Sequence, residues 1–174
     1  MDRQNRIEEL RWKTERIEKQ INFANKIKLL NLENSLEFLS FEKSDNFQKN
    51  AEEWPKNKFE KKLYVQIEIS KIEIVTKLLK SYLKNIQSDF ILIFLMNYNF
   101  GLIKINKTNL IENWGEILEL DGDEFYCYNP LSSDFVCVEK TEDFIVGKER
   151  EGIKWIYEIT YSNEKIMDRE NNAS

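Results

Sequence analysis

The sequence predicts an α+β fold: a mainly antiparallel sheet with a packed amphipathic helix, plus an N-terminal helical extension. Three observations predict it. From Leu63 to Ile69, the apolar Leu63, Val65, Ile67 and Ile69 alternate with Tyr64, Gln66 and Glu68, the period of a half-buried strand. Between Lys71 and Gln87, Val75, Leu78, Leu79, Tyr82, Leu83 and Ile86 recur at helical spacing, with Lys71, Lys77, Lys80 and Lys84 mostly on the other side. From Phe90 to Met96 every position is apolar, a run too short for a bilayer and suited to a central strand covered on both faces.

Taken in order, the chain opens on a helix expected from about Asp2 to about Leu30. Ile7, Leu10, Thr14, Ile17, Ile21 and Ala24 form a heptad-like seam on it. This segment carries eight Arg and Lys residues against five Asp and Glu, a net charge of +3. The seam fits a helix lying on its own domain, and it also fits self-association through residues 1–30. Residues 31–41 fit either an extension of that helix or a short strand, so residues 1–41 are taken as an N-terminal helical segment. Residues 42–62 are polar and are interrupted by Trp54-Pro55, which reads as a linker or loop. Residues 63–162 form the sheet domain. Ser70 and Glu73 have capping-box spacing at the start of its helix. Asn97 to Asn99 is a turn leading to a hairpin strand over Phe100–Ile105. Thr108 is the candidate cap of a second short helix containing Leu110, Ile111, Trp114, Ile117 and Leu118. Asp121-Gly122-Asp123 is a turn, followed by strands over Glu124–Tyr128 and Asp134–Val138. Residues 141–147 are ambiguous, 149–152 are a charged turn, and Ile153–Tyr161 alternates as a last strand with one apolar face, Trp155 on it. Residues 163–174 read as a frayed tail.

Composition narrows the function classes. The chain has 174 residues, 41% hydrophobic, enough to bury one ordinary core. Its net charge of -5 argues against nucleic acid as a partner. It has no His, which removes Ser-His and Cys-His dyads and His-ligated metals. Its two Cys cannot make a four-thiolate zinc site. No cofactor motif, metal-ligand set or apolar membrane span stands out. The charged start MDRQNRIEEL has no secretory core, so a cytoplasmic location with reduced thiols is expected.

The strongest site signal is acidic. From Glu112 to Ile145 there are ten carboxylates against Lys140 alone, a local charge of -9. A charge run is ordinarily a solvated edge. As a docking face it would speed encounter with a basic partner, and Trp114, Phe125, Tyr126 and Tyr128 lie within it as aromatic anchors. The candidate partner-binding residues are Glu112, Trp114, Glu116, Glu119, Asp121, Asp123, Glu124, Tyr126 and Tyr128, with no catalytic residue assigned. A His-free hydrolase would need two of these carboxylates converging in a cleft. Cys127 and Cys137 would be near neighbours if their hairpin centred near Ser132, and buried reduced thiols are the expected state. Trp12 stands off the heptad seam, as a residue for contact outside its own helix would.

The strand-helix-strand-strand order of Leu63–Ser162, the segment FGLIKINKTNLIENWGEILELDGDEFYCY and the acidity without catalytic residues resemble the immunity proteins of bacterial polymorphic-toxin and contact-dependent inhibition systems. The resemblance implies a non-enzymatic cytosolic protein that neutralises a cognate toxin, here by covering a basic active site with the acidic and aromatic face. The alternatives are an adaptor that oligomerises through its N-terminal helix, and the His-free hydrolase.

Overall fold

The computed structural model describes residues 3–51, 63–95, 101–129, 134–143 and 154–161. Within them the chain is α+β, as the sequence predicts. Helix α1 (Arg3–Leu29) leads to strand β1 (Leu36–Phe38), helix α2 (Phe41–Ala51) and strand β2 (Leu63–Glu68). Helix α3 (Ile72–Lys84), strands β3 (Phe90–Leu95) and β4 (Ile103–Asn106), and helix α4 (Lys107–Leu118) follow. Strands β5 (Glu124–Asn129), β6 (Asp134–Glu142) and β7 (Trp155–Tyr161) complete it. The strands form one seven-stranded sheet in the order β1-β4-β3-β5-β6-β7-β2, every pair antiparallel. The expected turns at 97–99 and 149–152, Met96, Phe100, Trp54-Pro55, residues 144–147, Ile153 and the tail at 163–174 lie outside the described residues.

The alternation of each strand sorts the sheet into two faces. One carries Ile67, Ile91, Ile93, Leu95, Ile103, Ile105, Phe125, Cys127, Val136, Val138, Ile159 and Tyr161, all buried against the apolar stripes of α3 and α4. Tyr82 of α3 donates its hydroxyl to the Cys127 carbonyl at 3.3 Å. Trp114 of α4 is edge-on to Tyr157 of β7 and donates its indole N–H to Thr76 Oγ1 at 3.0 Å. Helix α1 closes this side with Phe23, edge-on to Phe38, and Ile27. Helix α2 lies on the other face, where Phe47 packs against Phe94 and Tyr128.

Several expectations change. Residues 42–51, expected as the start of a linker, belong to α2, which Ser40 caps: its Oγ accepts from Lys43 N–H at 3.3 Å. Their polar composition hid a short apolar face of Phe41 and Phe47, fixed by Ser44, whose buried Oγ accepts from Leu102 N–H at 3.0 Å. Gly101 makes room for it: φ is +102° there, and a Cβ would sit 3.1 Å from Ser44 Oγ. Of the two readings open for residues 31–41, the short strand holds: β1 pairs antiparallel with β4. Ser70 and Glu73 do not form a capping box. The strand runs to Glu68, a 3₁₀ turn at Ile69–Lys71 follows, and α3 starts on Lys71 without a side-chain cap. Asn106 rather than Thr108 caps α4, its Oδ1 accepting from Thr108 N–H at 2.8 Å. Strand β3 is not fully covered on both faces, since Phe90 is exposed and Leu92 and Phe94 only half-buried.

Helix α1 ends in a Schellman motif. Asn31 has φ of 57°, Leu32 N–H donates to Ile27 O at 3.1 Å and Asn31 N–H to Lys28 O at 3.0 Å. Leu32 and Ile27, the accompanying apolar pair, are both in the core. Docking depends on Arg16, whose guanidinium holds both oxygens of Asp45 on α2, at 2.7 and 3.0 Å, and lies 4.3 Å from the Phe41 ring centre. The heptad seam is not the docking face: Ile7, Leu10, Thr14, Ile17 and Ile21 all face solvent.

Candidate acidic docking face

The nine candidate residues divide between the two sides of the sheet. On the helix side, Glu112 and Glu116 of α4 and Glu119 at its C-cap are exposed along one stripe, opposite the buried Leu110, Trp114, Ile117 and Leu118. The helix is irregular at Asn113 (φ -126°), whose amide donates to Asn109 O at 2.8 Å. Beyond its C-terminus, Asp121, Gly122 and Asp123 turn the chain, with positive φ at Gly122 and Asp123. The Asp123 carbonyl accepts from Lys140 N–H at 2.8 Å, which ties the turn to β6. Asp121 and Asp123 are half-buried and follow the stripe in the chain.

Trp114 and Tyr128 are corrected. Trp114 is 3% exposed and Tyr128 is buried under Phe47 and Phe94, so both are core residues and neither is a surface anchor. The aromatic that does stand beside the acidic stripe is Trp155, 44% exposed. Lys140 joins them: its Nζ lies 3.4 Å from Glu119 Oε1 and 6.0 Å from the Trp155 ring centre. Alternation places Trp155 on the apolar face, correctly by parity, but it opens β7 opposite Glu142 of β6, two residues before Tyr157, on which Trp114 of α4 packs. Burial raises the Tyr157 hydroxyl above its ordinary pKa; Lys140 opposes the shift, and the Glu119 and Asp123 charges add to it.

Glu124 and Tyr126 lie on the opposite face. Glu124 pairs with Glu139, and Glu139 with Glu158, so three carboxylates line up across β5, β6 and β7. Like charges directly opposed are unfavourable. Gln66 of β2 ends the row, donating to Glu158 Oε2 at 3.4 Å. Glu124 Oε1 accepts from the Tyr126 hydroxyl and from the Cys137 thiol at 3.6 Å. Burial raises both Tyr126 and Cys137, and the Glu124 charge adds to each. Burial alone raises Cys127. Thiols held in the neutral form are poor nucleophiles.

The two cysteines are free and do not face each other. Their hairpin pairs Cys127 with Val136 and Tyr126 with Cys137. The register is one residue off the expected one, which puts the thiols on opposite faces of the sheet. Among the described residues no group of three or more His, Cys, Asp and Glu is arranged to hold a metal, and no helix is long and apolar enough to cross a membrane. Compared with protein-family models, with curated proteins and with solved structures, the chain finds no match.

Proposed function

We propose that this is a non-enzymatic binding protein that docks a basic partner through the helix side of its sheet. The observation that carries the reading is the exposed stripe Glu112, Glu116 and Glu119, followed in the chain by Asp121 and Asp123 and flanked by the exposed Trp155. A one-signed face raises the encounter rate with an oppositely charged surface, and a large aromatic beside it supplies the area that holds the complex. In its most specific form the protein is an immunity-type inhibitor in the bacterial cytoplasm. Its acidic face covers the basic substrate site of a cognate toxin and acts by occlusion. Glu124 and Tyr126, on the other face of the sheet, take no part in that contact.

The test uses the product of the reading frame adjacent to this gene as the binding partner. Association is followed at low and at physiological ionic strength for the wild type and for Glu112→Lys/Glu116→Lys/Glu119→Lys. The reversal should slow association at least tenfold at low salt and flatten its salt dependence, with the melting temperature almost unchanged, because exposed charges contribute little to folding. Equal association rates for the two proteins would make the stripe a solvated edge and overturn the reading.

A further inference from the structure

We infer that a second copy of this chain packs antiparallel against the exposed seam of α1. The first half of this helix stands clear of the other described elements: residues 4–15 are exposed on every side. Isolated helices of about this length are marginal in water, and the pairs Lys13–Glu9 and Lys19–Glu15 add only a little. The exposed side chains are nevertheless apolar and aligned. Ile7, Leu10, Ile17 and Ile21 are between 42% and 57% exposed. They stand roughly 130° round the helix from Arg16, Phe23 and Ile27, which face the body, at about 100° per residue. The seam is therefore a second face, clear of the other described elements while the first is docked.

Charge selects the occupant and its direction. With Ile7, Thr14 and Ile21 at the a positions of a heptad and Leu10, Ile17 and Ala24 at d, the flanking e positions include Arg11 and Glu18, and the g positions include Arg6 and Lys13. An antiparallel pair with its two-fold axis between Glu15 and Arg16 sets Ile7 against Ala24, Leu10 against Ile21 and Thr14 against Ile17 of the second copy. In that register Arg11 meets Glu18 of the second copy, twice. Sliding by one heptad brings Arg11 against Arg11, or Glu18 against Glu18. A parallel pair sets Arg6 against Arg11 while joining Lys13 to Glu18. Only the antiparallel, centred arrangement makes every charged flanking pair attractive, and it closes as a symmetric dimer. Its small and polar members, Ala24 and Thr14, make it a weak, salt-sensitive dimer.

Sedimentation equilibrium of the full chain at low ionic strength tests this. The wild type should be a dimer at micromolar concentration. Arg11→Glu and Glu18→Arg should each raise the dissociation constant about tenfold, because two attractive pairs become repulsive. An equimolar mixture of the two variants should recover wild-type association. In the mixed dimer the two reversed charges meet each other, and the native Arg11 of one chain meets the native Glu18 of the other. Leu10→Asp should be monomeric with an unchanged urea midpoint for the body. A monomeric wild type, tighter association of Arg11→Glu (the parallel outcome), no recovery in the mixture, or a dimer that survives Leu10→Asp would each overturn the inference.

Discussion

Arg16 joins two helices at one point. Its guanidinium is almost fully buried, bidentate to Asp45 and stacked on Phe41, so α1 is held to α2 by a geometry that a lysine ammonium cannot reproduce. Replacing it by Ala leaves Asp45 able to face water, so the loss should be that of the charged hydrogen bonds, ~1.5–3 kcal/mol, read from the urea midpoint. Lysine at this position should recover less than half. The thiols give a second residue-scale prediction. Unfolded thiols ionise near about 8.5, whereas burial holds both native ones above that. Above that pH the unfolded chain therefore binds fewer protons than the native one, and stability falls as pH rises, by at most ~1.4 kcal/mol per unit for each thiol. Tyr126, raised by the same burial, adds to the fall beyond about 10. Urea midpoints from about pH 8 to about pH 10 measure it, and a flat profile would mean that the thiols ionise in the native state. Individual residues were the least legible scale. Cysteine spacing suggested that Cys127 and Cys137 are neighbours, but the hairpin pairs residues one step away, and in a strand one step is the difference between two faces.

Elements were easier to read where burial imposes a period. Helix α3 and strands β2, β3 and β7 follow the apolar pattern within a few residues at each end, because the core demands that pattern. Leu79 marks the centre of this packing and is fully buried between α3 and the sheet. Its replacement by Ala should cost ~2–5 kcal/mol through the cavity left behind, measurable by urea denaturation. Helix α2 reads as a polar linker because it meets the sheet through Phe47 and is otherwise fixed by a buried Ser44 on Leu102 N–H, too few apolar positions to set a period. The cap of α4 was misplaced by two residues because strand and helix abut there with no loop between them. For α1 the seam is legible in the sequence, but its role is not. The body instead takes Arg16, Phe23 and Ile27, a set that begins with a charged residue and so does not read as an apolar face.

At the scale of the whole molecule, charge is separated along the chain: +3 over the N-terminal helix region and -9 between Glu112 and Ile145. The acidic half of the candidate site was legible because carboxylates need water, and Glu112, Glu116 and Glu119 find it on the outer stripe of α4 and its C-cap. Its aromatic half was not, because a Trp inside a helix and a Trp at the first position of a strand look alike until packing decides between them. Packing sends Trp114 inward and leaves Trp155 outside. The two kinds of group should therefore separate in one experiment. Trp155→Ala removes exposed area without opening a cavity, so the urea midpoint should move by less than ~0.5 kcal/mol in stability. Association with the basic partner, set by the carboxylates, should stay within about twofold of wild type. Dissociation should accelerate about tenfold or more, since a lost aromatic anchor costs ~1–3 kcal/mol and appears mainly in the off-rate. Stopped-flow association and dilution-driven dissociation on the same preparation measure both rates. An unchanged off-rate would mean that Trp155 lies outside the contact, and the docking face would then be confined to the α4 stripe.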